Sequence, residues 1–147
     1  MSVVDVINEQ EYIVITEETI VSWAAAALEL LGFAEAQLSV VLTDNAAIQE
    51  LNRDYLGRDK PTNVISFPLL EGEDCFGSHL GDIVISAERA CEEAEGGELA
   101  PLERLKQLLV HGICHLTGYN HEDVDEATAL IMEAKEAEIL AALAERA

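Results

Sequence analysis

HGICHLTGYNH, residues 111–121, is the stretch around which the rest of the chain is read. It holds three of the four histidines. His111 and His115 are four apart, which on a helix puts both imidazoles on one face, one turn above the other. Gly118 can adopt the left-handed backbone angle that ends a helix and turns the chain. The turn brings His121 back toward the first two rings. Three neutral imidazoles with no fourth protein ligand form the donor set of a catalytic zinc site, whose open position holds water. A lone helical histidine is usually a packing residue, and a pair at this spacing can be coincidence on a polar stripe. The full H-x3-H-x2-G-x2-H pattern in a histidine-poor chain favours a metal. Zinc leads, one ion per chain, while nickel, copper and iron also accept imidazole and stay open.

The same spacing matches the metzincin proteases, H-E-x-x-H-x-x-G-x-x-H, at every position except one. Where those enzymes carry a glutamate as general base, this chain has Gly112. A glycine accepts no proton, so peptide hydrolysis by that route lacks its base.

Composition narrows the field. A chain of 147 residues is expected to make one domain (1–147), long enough to bury a core, and half of its residues are hydrophobic. No apolar run approaches the ~18 residues of a membrane span. The opening MSVVDVINEQEYIVITEE has acids and no basic region, unlike a signal peptide, so the cytoplasm is the expected location. Cys75, Cys91 and Cys114 are odd in number and lack CxxC spacing, which argues against a disulfide framework. Cys114 lies between two histidines, but helical spacing turns it away from both, and it reads as a small buried residue. With 29 acids against 8 bases the formal charge is −21. Such a surface repels nucleic acid at long range and does not suggest unaided, tight RNA binding. The bases are grouped, however. Arg53, Arg58 and Lys60 form one cluster, and Arg104 and Lys106 precede His111; together they would make the cleft locally positive.

Along the chain, 2–8 and the β-branched run 12–15 read as extended. Thr16 caps a helix to Leu31, with Ile20, Trp23, Ala27 and Leu31 spaced for burial and Gly32 ending it. Trp23 reads as core rather than as a platform for a base. Residues 37–43 form a strand. Asp44 then caps a helix with Ile48, Leu51 and Tyr55 on one face, stopping at Gly57. NVISF is a strand ending at Pro68, 70–79 a polar loop, and LGDIVIS (80–86) another strand. Ser86 caps a helix to about Ala94, and Gly96 and Gly97 break it. A helix from Leu99 buries Leu102, Leu105, Leu109, Ile113 and Leu116, leaving Arg104, Gln107, His111 and His115 on the neighbouring stripe at the rim of the core. A last helix, about Glu122 to Leu143, carries Leu130, Ala134, Ala137, Ala141 and Ala144 in register. The order β-α-β-α-β-β-α-α-α predicts an α+β fold. It is a small mixed sheet of about four strands, packed with about five helices, one of them a metzincin-like metal-binding helix.

Three segments, LNRDYLGRDKPTNVISFP (51–68), LGDIVIS (80–86) and HGICHLTGYNH (111–121), resemble the YbeY family of bacterial rRNA maturation factors, in the family's order and over nearly the whole chain. The resemblance implies a single-strand-directed endoribonuclease acting in ribosomal RNA processing and ribosome quality control. It implies one zinc on the residues matching His111, His115 and His121. Ribosomal RNA is then the expected partner, with ribosomal proteins or assembly factors beside it and no membrane. One position departs: the family arginine that follows the tyrosine of N-x-x-Y-R-G is Leu56 here.

From the residues themselves, a three-imidazole zinc lowers the pKa of bound water to roughly 7, which gives His111 a catalytic role through the metal. Arg58 can hold a phosphate by paired hydrogen bonds, or be a solvated loop cation. Lys60 and Ser66 are candidate substrate contacts. Ser66 and Thr62 can equally bond the local backbone. Asp82 either orients an imidazole by accepting from its far ring nitrogen or is a strand-end turn residue. Glu122 and Asp123 follow the third histidine as candidate bases or helix caps, and His79 reads as surface. Two other classes stay open: a metalloprotease-like zinc hydrolase, and a ribosome-associated adaptor with a structural metal.

Overall fold

Two aliphatic runs, LSVVLT and DIVIS, supply the centre of the molecule. In a computed structural model, which describes residues 3–68, 79–117 and 126–145, they are adjacent parallel strands. The elements are β1 (Val3–Asn8), α1 (Glu17–Leu30), β2 (Gln37–Thr43), α2 (Asn45–Leu56), β3 (Val64–Pro68), β4 (His79–Ser86), α3 (Ala87–Gly96), α4 (Pro101–Leu116) and α5 (Glu126–Glu145). This is the α+β order expected from the sequence. The sheet runs β1-β2-β4-β3, with β1, β2 and β4 parallel and β3 antiparallel to β4. β2 and β4 are apolar on both faces because both faces are covered. Leu38, Val40, Leu42, Ile83 and Ile85 point into the larger core with residues of α1, α4 and α5. Ile65 and Val84 point the other way, onto Ile48 of α2.

Helix ends follow local chemistry. The Thr16, Asp44 and Ser86 side chains accept from the backbone N–H three residues on, as N-caps do. Gly57 closes α2 in the left-handed conformation at φ +71°.

At the start of β4, Gln37 pairs with His79 but Leu38 pairs with Gly81, so Leu80 is an extra residue and the strand bulges. Gly81 sits at φ +148°. A Cβ there would collide with the Phe67 carbonyl and lie 3.1 Å from Leu116 Cδ2. Only glycine lets β3 and the end of α4 close together on this strand.

The structure departs from expectation in three places. Residues 12–15 are not a strand. Gln10 Oε1 instead accepts from the N–H groups of Tyr12 and Ile13, both at 2.8 Å, so a side chain takes the bonds that a ladder would have made. In α5, Leu130, Ala134, Ala137, Ala141 and Ala144 are all exposed, while Met132, Ile139 and Leu143 are buried. Over the second half of the helix, where alanines alternate with larger residues, Ile139 and Leu143 continue the face begun by Met132, because they bury more area than alanine; Leu130 and Ile131 stay exposed. Leu102 is likewise exposed in the first turn of α4. The predicted loop 70–79 contributes His79 to β4; the rest of it, with Cys75, lies outside the described residues.

Gly81→Ala is expected to destabilise the protein by roughly 2–5 kcal/mol through strain and overpacking. Urea unfolding monitored by circular dichroism checks this as a lowered midpoint.

Candidate metal centre and cleft

Leu105, Leu109, Ile113 and Leu116 bury one stripe of α4, and Arg104, Gln107, His111 and His115 fall beside it, half-buried. Gly112 faces the sheet. A Cβ on it would lie 3.0 Å from Ile83 Cγ2 and 3.3 Å from Ser66 Oγ, so the helix backbone packs directly on β3 and β4. The Ser66 hydroxyl donates to the Gly112 carbonyl at 3.3 Å across that joint.

The two imidazoles meet at their Nε2 atoms, 3.0 Å apart. His111 Nδ1 lies 2.9 Å from Glu136 Oε1 of α5. An ionised carboxylate only accepts, so Nδ1 carries the hydrogen and Nε2 presents its lone pair toward His115. Two ring nitrogens this close need a proton or a cation between them. This is the arrangement of a ligand histidine oriented by a carboxylate, and the donor set fits an imidazole-preferring metal. Among the described residues, no three His, Cys, Asp or Glu side chains converge as a metal cage. Gly118, His121, Glu122 and Asp123 lie outside those residues.

A cleft of about 430 Å³ opens beside the pair. His111, His115 and Leu116 form one wall, β3 the floor, and the α2–β3 loop the other wall. The Ser86 N–H donates to the Asn63 carbonyl at 2.9 Å. By antiparallel alternation the backbone groups of Val64 and Ser66 therefore point to the free edge of β3, into the cleft. Asn52, only 3% exposed, anchors the loop. Its Nδ2 donates to the Lys60 carbonyl at 2.9 Å, and its own carbonyl accepts from the Arg58 N–H at 3.1 Å.

Arg58, Lys60, Thr62 and Ser66 all line this cleft, and so does Leu56. Arg104 and Lys106 do not line it: Arg104 pairs with Glu93 at 3.0 Å, and Lys106 with Glu103 at 3.4 Å, 5.5 Å above the Trp23 ring. The second basic group therefore stays off the cleft, neutralised by Glu93 and Glu103. Asp82 also lies elsewhere, 3.6 Å from His79. The carboxylate beside a candidate ligand is Glu136, which the sequence reading missed, along with Asn52. Glu136 falls between Met132 and Ile139, so knowing the true inward face of α5 would have marked it.

Charge pairing separates the cations. Arg53, Arg89, Arg104, Lys106 and Lys135 each lie within ion-pair distance of a carboxylate. Among the described residues Arg58 and Lys60 have no such partner, and both line the cleft.

Fold and site define the class: an α+β protein whose open cleft sets a helical histidine pair against an arginine and a lysine. A sequence-family profile, Endoribonuclease YbeY, matches residues 5–144. Proteins named Endoribonuclease YbeY are similar along the chain. That of Geobacter metallireducens is 52% identical over 120 residues, 79% of each chain. That of Syntrophotalea carbinolica is 44% identical over 148 residues, 99% of this chain and 98% of the other. The solution structure of TM1509 from Thermotoga maritima shares the fold with a TM-score of 0.64 at 24% identity, covering 97% of this chain and 93% of that one. This chain belongs to the YbeY family.

Cys114 is buried between the histidines, and desolvation, with the Glu136 charge adding, pushes its thiol up to about 12. A raised folded-state value means stability is fully present below the unfolded thiol's value of about 8.5 and falls as pH rises toward the folded value. Denaturant unfolding is therefore expected to show falling stability above about pH 9, with a shallower fall in Cys114→Ala.

Proposed function

We propose that this chain is a zinc-dependent endoribonuclease that cuts single-stranded RNA in ribosomal RNA maturation and ribosome quality control, in the cytoplasm. The observation that carries the reading is the pair of cations, Arg58 and Lys60, which among the described residues have no carboxylate partner and line one cleft with two imidazoles in a chain of charge −21. An acidic protein keeps such cations for an anionic ligand, and a phosphodiester is the anion that the family name supplies. Among the described residues no helix is long and apolar enough to cross a membrane. The acidic surface suits basic ribosomal proteins or assembly factors as partners that present the RNA.

His111 and His115, completed by His121, would hold the zinc. When bound, the ion supplies an acidified water and a Lewis acid for a phosphoryl oxygen. The chain's own groups do the rest. Glu136 holds the His111 ring by accepting from Nδ1. Arg58 grips a non-bridging phosphate pair with its planar fork, and Lys60 adds a point charge. Asn52 keeps both at the cleft through their backbone. The Val64 and Ser66 edge offers N–H donors to the strand lying over it. Leu56, where the family carries arginine, leaves that corner of the cleft apolar.

Purified protein is expected to cleave single-stranded RNA, with activity lost on chelation and in His115→Ala. Glu136→Gln is expected to weaken zinc binding about 10- to 100-fold in a chelator competition. RNA cleavage that persists unchanged after complete metal removal would sink the zinc assignment. In a gel-based cleavage assay Leu56→Arg should raise turnover roughly tenfold, the effect of one added charge-assisted hydrogen bond.

A further inference from the structure

Helical spacing groups Tyr55 with Ile48 and Leu51, yet Tyr55 is 70% exposed while Ile48 is fully buried. The exposed ring is not loose. Its centroid lies 5.6 Å from that of Phe67 at an interplanar angle of 74°, an edge contact. Phe67 is in turn packed against the small core beneath α2. A large aromatic group is therefore fixed in place with most of its surface in water, where it gains little from burial.

Its position is specific. Leu56, the next residue in the chain, lines the cleft, as do Ser66 and Pro68 on either side of Phe67. Arg58 follows three residues later, at most about 11 Å along the chain. The ring thus stands on the α2 side of β3, next to the cleft-lining Leu56 rather than among the lining residues, and within a few residues of the cations that have no carboxylate partner among the described residues. A phosphate held by Arg58 would carry its neighbouring base toward that side, and a flat π-face is what an unpaired base stacks on.

We propose that Tyr55 is a stacking platform for an unpaired nucleobase flanking the phosphate held in the cleft. The proposal rests on the endoribonuclease reading and deepens it. Bases in a duplex are already stacked on their neighbours, so a platform rewards only a strand whose bases are free. Selection for single strands then comes from Tyr55, and the hold on the backbone from Arg58 and Lys60.

The test measures fluorescence-anisotropy binding of the full chain to two labelled probes: a single-stranded 2′-O-methyl oligonucleotide, and an abasic chain of the same length. Tyr55→Ala and Tyr55→Leu are expected to bind the first probe roughly 5- to 100-fold more weakly, and Tyr55→Phe to match the wild type. All four proteins should bind the abasic chain equally. Leucine still covers Phe67 but has no π-face, so its loss separates stacking from packing, and thermal melts confirm that each variant is folded. Wild-type affinity in Tyr55→Leu, loss in Tyr55→Phe, or equal loss on both probes would overturn the platform. If the wild type cuts RNA with a KM indifferent to Tyr55, the platform alone fails. If the wild type neither binds the oligonucleotide nor cuts RNA, the endoribonuclease reading fails and takes the platform with it.

Discussion

The seating of α4 on the sheet depends on the missing side chain at Gly112. A Cβ there would crowd Ile83 at 3.0 Å and Ser66 at 3.3 Å. With no methyl to hold it off, the helix lies close enough for Ser66 to bond the Gly112 carbonyl. His111 and His115, on the neighbouring stripe, then project past the open edge of β3 rather than over the middle of the sheet. This packing also bears on the peptidase alternative. A side chain at 112 would require Ile83 and Ser66 to give way by a few tenths of an ångström, so the close seating of this helix favours glycine where a protease carries its base.

Local features were legible in the sequence where one residue type decides them. Caps, glycine terminations and the aliphatic strands appear where Thr16, Asp44, Ser86 and Gly57 place them. The His111 and His115 rings share a face because the helix makes residues four apart neighbours. Features that depend on distant partners were not legible. Arg104 and Lys106 looked like part of a positive cleft, but Glu93 and Glu103 claim them. Tyr55 obeyed the periodicity of a buried face, but at the end of α2 its ring meets Phe67 edge-on and stays 70% exposed. The inward side of α5 was hidden by its alanines, and with it Glu136.

The charge distribution shows how an acidic protein can still hold an anion. Screening confines exposed charges to about 8 Å at physiological ionic strength, so an acid farther than that from the cleft acts weakly on it. What matters is the first layer around the phosphate position. There Arg58 and Lys60 line the cleft with two imidazoles and, among the described residues, have no carboxylate partner, with Asp59, between them in the chain, bonded by Gln49 at 3.1 Å. The remaining negative surface lowers the rate of encounter with free RNA. Its cost falls on association rather than on the contacts made once bound.

The site therefore comes from three separate parts of the chain: the histidines of α4, the carboxylate of α5 and the loop anchored by Asn52. Only the first is a local motif. The Glu136–His111 contact spans 25 residues and exists only when Met132, Ile139 and Leu143 are docked in the core. Undocking α5 would remove the Glu136 contact from the His111 ring without touching α4. Orientation of the candidate ligand is in this way tied to the docking of α5. Any ion held by both imidazoles would favour the docked form, because binding to one of two states stabilises that state.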